Sequence, residues 1–381
     1  MKSIKYLGYY DTLNNKKENR CYIMSAVNKM NYICEAIHEI GYNVQIISVS
    51  HTEGKKYCQA SYKTIFPGIK LKLFTSLGKQ NKLMSVFQRL FIKVQLIYFF
   101  FIHVKKDESI IAYHSPGYVK LLYWLKKIKK FRLILEIEEI YSDVSDDKTL
   151  GKYEYRLFDS ADAYVFPTEL LDENINKKKK PSVIIYGTYR IETALEHKKE
   201  NDIIKCIYAG TFDPRKGGAA AAAAAASFLP KNYCIYILGF GKKNEIENMK
   251  RTIQDINKKS KAKVFYKGLL KGDEYIRFLQ GCDIGLSTQN PDAAFNDTSF
   301  PSKILSYLTN GLRVVTVRIP AIEKSAIGNL LYFYDTQNPE NIAKAILSVD
   351  FHKKYDSRAE IKILDCKFRK EMSQILYNKI K

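Results

Sequence analysis

Apolar runs and amphipathic stretches take turns along this chain, and that alternation constrains its fold more than anything else it contains. Residues 4–7 read as a strand, 25–40 as a helix stopped at Gly41, and 43–49 as a second strand. A helix over 83–104, a strand over 109–113, a helix over 118–130 and a strand over 131–137 continue the series, with further strands at 160–166 and 182–186. The stretch 50–70 reads as a loop. Strands separated by helices argue for parallel sheets covered on both faces.

The series stops and restarts. From 187 to 202 the chain turns polar, with His197-Lys-Lys-Glu-Asn-Asp202, and a domain boundary is expected there. Beyond it come a strand at 203–209, an alanine helix from Ala219 to Ala226, and a strand at 233–238. A helix at 243–256, a strand at 264–266, a helix at 272–280 and strands at 283–287, 314–317 and 330–333 follow, with helices at 339–349 and 356–379. Two doubly wound domains facing each other would hold ligand at the strand ends between them.

At 381 residues, 46% of them hydrophobic, the chain is long enough for two cores and too apolar to be disordered. It is strongly basic: 62 Lys and Arg face 40 Asp and Glu, a formal charge of +22. No zinc spacing or aromatic RNA-binding signature accompanies that charge, so nucleic acid is set aside as a partner. An anionic membrane surface remains, beside a plain lysine-rich, solvated surface. Residues 83–104 are apolar enough to be mistaken for a membrane span, but Arg89, Lys93, Gln95 and His103 interrupt them. Lys82, Arg89 and Lys93 fall on roughly one helical side. That reads as an amphipathic helix packed on a sheet and also touching lipid, with plain core packing as the alternative. The seven cysteines form no C-x-x-C pair and no ligand spacing, and read as buried free thiols of a reducing compartment. The opening Met1-Lys-Ser-Ile-Lys-Tyr-Leu7 reads as a strand and not as a signal peptide.

Two strand-to-helix corners have the chemistry of a phosphate site. In Asp297-Thr-Ser-Phe-Pro-Ser-Lys303 a polar loop runs into a helix, with Pro301 suited to the first helical position. Ser302 and Lys303 put a hydroxyl and a cation beside the free N–H groups of that helix end, which attracts anions. Gly311 stops the helix. The second corner, Gly210-Thr-Phe-Asp-Pro-Arg-Lys-Gly217, likewise follows a strand and precedes a helix. Its Arg215 and Lys216 can neutralise a diphosphate. Gly239-Phe-Gly241 ends a third strand, and Tyr266-Lys-Gly-Leu-Leu270 forms a turn after a fourth.

Taken in order, these four segments resemble the donor domain of the family 4 retaining glycosyltransferases, in the Phe-Pro-Ser-Lys-Ile form common among bacterial members that build surface polysaccharides. The family motif carries two glutamates ahead of Gly-x-Pro-Val-Val. Aligning Gly311-Leu-Arg-Val-Val315 to that ending puts Thr298 at the first and Ser306 at the second. The resemblance implies an α/β GT-B fold: two Rossmann-like doubly wound domains facing across a cleft. The acceptor-side domain would span 1–190, the nucleotide-sugar domain 203–352, and a helix within 353–381 would return to the first domain. It further implies that Gly210, Thr211, Arg215, Lys216, Ser299, Phe300, Pro301, Ser302 and Lys303 hold the donor diphosphate. Gly239, Gly268, Leu270 and Ser306 would meet the nucleoside.

On the acceptor side the candidates for chemistry are His114, in the loop His114-Ser-Pro-Gly117, and Glu138 or Glu139, which can polarise an acceptor hydroxyl. A loop histidine bonded to backbone and glutamates ion-paired with surface lysines are the alternatives. No Asp-x-Asp stands where a metal would bind, and no His/Cys cluster exists, so a metal-independent reaction without a cofactor is expected. The resemblance therefore implies a retaining glycosyltransferase of the hexosyltransferase class. It would move sugar from a nucleotide-diphosphate sugar, UDP-linked, to a saccharide or lipid-linked saccharide in capsule or O-antigen biosynthesis. The enzyme would be cytoplasmic and peripheral on the inner face of the cell membrane. A sugar-nucleotide epimerase or phosphorylase of the same fold stays open, as does a non-catalytic subunit that binds a membrane or partner enzyme.

Overall fold

The computed structural model describes residues 2–12, 15, 17–143, 148–195, 202–213, 218–291 and 300–377. The chain divides into two compact units. Unit 1 holds Met1–Pro167, Leu171–Thr188 and Lys367–Lys381, and unit 2 holds Thr168–Leu170 and Tyr189–Cys366.

The first half of the chain runs β1 (Lys2–Gly8), α1 (Met24–Glu39), β2 (Tyr42–Ser48), β3 (Ser61–Phe66), β4 (Ile69–Leu73), α2 (Lys82–His103), β5 (Ser109–Tyr113), α3 (Val119–Lys129), β6 (Arg132–Glu136), α4 (Lys148–Ser160), β7 (Ala163–Phe166), α5 (Glu169–Ile175) and β8 (Ser182–Ile184). Its strands form one sheet in the order β3-β4-β2-β1-β5-β6-β7-β8. Pairing is parallel from β4 to β8, and only β3 runs antiparallel, against β4. The β3–β4 hairpin corrects the expectation of a loop over 50–70. Alternate residues of β3 stay exposed, so it lacks the continuous apolar run of a central strand. Its signal was the turn Pro67-Gly68, where Gly68 has φ +75°.

The second half runs β9 (Ile204–Thr211), α6 (Ala219–Ala224), β10 (Tyr233–Phe240), α7 (Lys243–Lys259), β11 (Lys263–Gly268), α8 (Gly272–Gln280), β12 (Ile284–Ser287), α9 (Ser302–Thr309), β13 (Arg313–Val317), α10 (Pro320–Glu323), β14 (Leu331–Tyr334), α11 (Pro339–Leu347) and α12 (Ser357–Tyr377). Here the order is β11-β10-β9-β12-β13-β14, with every pairing parallel. The expected α/β, doubly wound architecture is borne out. Pro301 stands one residue earlier than expected. At φ −68° and ψ 106° it is still extended and caps α9, so Ser302 is the first helical residue. The alanine tract forms α6 and a following turn of 3-10 helix, with Ala222, Ala223, Ala225 and Ala226 fully buried. Methyl groups alone let this helix lie close against β9, β10, α7 and α11.

Helix α2 is apolar on two opposite sides. Ile92, Leu96, Phe99 and Phe100 enter the core of unit 1 with Leu7, Ile47, Phe74 and Leu122. Gln88 is buried there too and donates to the carbonyl of Thr52. The opposite side exposes Leu83, Leu90, Val94, Ile97 and Phe101. Advancing about 100° per residue sets Lys82, Arg89 and Lys93 together on one flank between the two.

Candidate functional site

In unit 2 strand order reverses at β9, whose neighbours β10 and β12 lead away in opposite directions. Loops leaving the carboxyl ends of such strands diverge and leave a crevice. The glycines singled out in the sequence sit along this edge. Gly210 pairs in register with Gly239, and Gly268 with Leu238. Gly239 has φ +153°, and a Cβ there would strike the Gly210 carbonyl oxygen at 1.8 Å. Only glycine lets the two strand ends close up this way. On the other side of β9, Gly218 packs on β12's exit: its carbonyl accepts from Thr288 Oγ1 at 2.8 Å, and a Cβ would meet the Thr288 oxygen at 1.5 Å.

Helix α9 brings Lys303 to the same edge. Lys303 Nζ lies 3.2 Å from the place a Gly210 Cβ would occupy, and 4.3 Å above the Tyr208 ring. Among the described residues no carboxylate pairs with it. Burial holds its ammonium down to about 8. The amino end of α9 has no side-chain cap. A half-buried lysine thus reaches the Gly210 corner from the first turn of an uncapped helix, an arrangement that favours a bound anion. Tyr307 fixes the geometry: its hydroxyl accepts from Ala209 N–H at 2.9 Å and donates to the Leu286 carbonyl at 3.3 Å. That ties α9 to both strands of the crevice. Of the predicted diphosphate ligands, Gly210, Thr211, Phe300, Pro301, Ser302 and Lys303 are described. Arg215, Lys216 and Ser299 lie outside the described residues, as does Thr298.

Along the sheet edge, Phe212 links the first corner to the nucleoside candidates. Its N–H donates to the Phe240 carbonyl at 2.9 Å, and its ring lies 5.9 Å from that of Tyr266, two residues before Gly268. Gly268 turns at φ +74°, followed by half-buried Leu270. Ser306 projects from α9, where its hydroxyl lies 3.3 Å from the Tyr275 hydroxyl on α8. Sequence reasoning missed Tyr208, Tyr275 and Tyr307. An aromatic inside a strand or helix reads as core, and nothing local says that its hydroxyl is used.

In unit 1 the equivalent reversal falls between β1 and β5. His114, directly after β5, is only 1% exposed. Its Nε2 lies 3.1 Å from Glu154 of α4, and its ring packs on Tyr141 and Phe158. Burial pushes the Glu154 carboxyl up, yet hydrogen bonds from His114 and Ser142 outweigh it and hold the group below its usual value. Glu154 also accepts from the Tyr141 and Ser142 N–H groups at 2.8 and 2.9 Å, so this pair braces the loop after β6. Glu138 is ion-paired with Lys29 at 2.5 Å. Burial first, then the Glu139 charge, push the Tyr141 hydroxyl up. The last residue of β6 is one the sequence reading passed over. Glu136 is fully buried, accepts from the Tyr6 hydroxyl and feels the charge of Glu138. Burial first, then the Glu138 charge, push it up to about 8. Among the described residues no cluster of three or more His, Cys, Asp or Glu side chains could hold a metal ion.

No protein-family model matches the chain, and a search of curated proteins finds no match. Solved structures do match over the whole length. A trehalose-6-phosphate structure from E. coli bound with UDP-2-fluoro glucose aligns at TM-score 0.67 and 10% identity, covering 98% of each chain. The fold is GT-B. Two further GT-B structures align at 10% identity: a UDP-forming trehalose-phosphate synthase from Burkholderia xenovorans, at TM-score 0.62 and 100% of each chain, and Anabaena HepE in complex with UDP and glucose, at TM-score 0.60 and 99% of each chain. At this identity the likeness concerns the GT-B fold and carries no residue assignment.

Proposed function

We propose that this protein is a retaining glycosyltransferase that takes a sugar from a UDP-linked donor held on unit 2. One observation carries the reading: Lys303 Nζ reaches the Gly210 corner, so two phosphate-type corners that lie far apart in the sequence point at one spot. The pyrophosphate would sit there on the N–H groups of Ser302 and Lys303 and beside Thr211. Arg215, Lys216 and Ser299 would complete the grip. The nucleoside would run toward Gly239, Gly268 and Leu270, with Ser306 and Tyr275 at the ribose. As the diphosphate leaves, these cations would stabilise its growing charge. Structures with UDP-2-fluoro glucose and with UDP and glucose on the same fold support the donor class. Retention is supported by the trehalose-6-phosphate synthase studied for glycosyl transfer with retention. The acceptor, a saccharide or lipid-linked saccharide of surface-polysaccharide synthesis, would meet unit 1 near Glu138 and Glu139. His114 would position that loop through Glu154. The outward apolar side of α2 would lie on the inner face of an anionic membrane.

A thermal-shift and calorimetric screen with UDP, UDP-glucose and related donors tests this. Binding of UDP, weakened by about 1.5–3 kcal/mol in Lys303→Ala, is the expected result, the worth of a hydrogen bond to a charged group. An unchanged affinity in that variant removes the corner from the donor site, and no response to any nucleotide sugar removes the reading. The second reading, a non-catalytic subunit, is favoured by Ser306 standing where the family carries a glutamate. Donor binding with no turnover against any membrane-derived acceptor would decide for it.

A further inference from the structure

Unit 1 carries a cavity of about 300 Å³ at the reversal between β1 and β5, bounded by the loops after those strands and by the charged flank of α2. Arg89 and Lys93 line it together with Tyr9, His51 and Tyr118, and among the described residues no acidic one does. Neither cation has an ion pair among the described residues. Arg89 only donates from Nε to the Ser85 carbonyl one turn back, at 3.2 Å. Tyr9 and Tyr118 stack at 5.9 Å, and Tyr9 meets His51 edge-on at 6.4 Å. His51 is held in place by the Cys21 sulfur, 3.3 Å from Nδ1. The Glu53 charge acts on His51, and Glu53 itself faces Lys79 at 3.9 Å.

Val86 and Leu90 also line the cavity, and both are exposed apolar side chains of α2. A ligand seated here can meet both the cations and the exposed apolar side of the helix. The size is that of a headgroup site, at the small end of ligand pockets, and not that of a whole lipid. That exposed side cannot be part of a membrane-crossing helix, because the opposite side of α2 is in the core of unit 1.

We infer that this cavity binds the phosphate of an amphiphilic acceptor, with Arg89 and Lys93 on the phosphate and Val86 and Leu90 under the first part of the apolar chain. The inference rests on the glycosyltransferase reading for the word acceptor, and otherwise on unit 1 alone. Farnesyl phosphate, below its micelle concentration, is a probe with both parts. Inorganic phosphate and farnesol each have one. The full-length protein should bind farnesyl phosphate more tightly than either. The double variant Arg89→Ala/Lys93→Ala should lose at least about tenfold of that affinity, the worth of one hydrogen bond to a charge. Leu90→Gln should weaken farnesyl phosphate and leave inorganic phosphate unchanged. Farnesyl phosphate binding no better than inorganic phosphate would make this a plain anion site and overturn the proposal. Equal binding by the double variant would place the amphiphile on the helix alone and overturn it too. UDP titrations of the same samples separate the two readings. A protein that binds UDP but not farnesyl phosphate loses only this inference, and one that binds farnesyl phosphate but not UDP loses only the donor assignment.

Discussion

Half-buried Lys303 and fully buried Glu136 are two ionisable groups whose titration near neutral pH should be measurable. For Lys303 the free protein titrates at about 8 because burial disfavours the ammonium. A bound diphosphate would raise that value. Below it Lys303 is charged with or without ligand, and UDP affinity should be flat. Above it a proton must be taken up on binding, so affinity should fall by about tenfold per pH unit until the bound form also titrates. Calorimetry in buffers of different ionisation enthalpy reads that proton, and Lys303→Met should abolish it. Glu136 is shifted in the other direction. Its folded value is raised from 4.5 to about 8, so its stabilising contribution is complete below 4.5 and is lost as pH rises to about 8. Urea midpoints across that window should show the decline, and Glu136→Gln should flatten it while keeping the bond to Tyr6. A slope unchanged in the variant would assign the decline to another group.

Elements differ in how plainly the chain announces them. Central parallel strands such as β6 and β12 are buried on both faces, and their apolar centres could be read directly. Edge strand β3 could not, being half exposed. Helix starts and glycine stops carried the donor corner: Pro301, Gly311 and Gly210 are local signals. The contacts that shape the sites are not local. Tyr6 and Glu136 are 130 residues apart, and Lys29 and Glu138 are 109 apart, so only the folded sheet brings them together. Helix α2 allows a test within one element. Leu96, 0% exposed, should cost about 2–5 kcal/mol as Leu96→Ala. Val94, 59% exposed, should stay within about 0.5 kcal/mol as Val94→Ser yet reduce binding to vesicles. Equal losses of stability would mean that the outward side is covered in the free protein.

At the scale of the whole molecule, the formal charge of +22 makes salt a useful variable. Binding to vesicles containing phosphatidylglycerol should weaken as the screening length shrinks from about 10 Å at 0.1 M to about 3 Å at 1 M. A remainder due to the apolar side of α2 should survive. Complete loss at high salt would leave that side without a part in membrane contact. The alanine tract sets a different kind of limit. Tracts of one repeated residue are where copying errors gain or lose codons, and on an exposed linker such changes pass unnoticed. Here one extra alanine would swing everything after it by about 100° around the helix axis. Side chains larger than methyl would then be driven into a gap that has no room for them. The most monotonous stretch of the chain is therefore the one whose length the fold can least allow to drift.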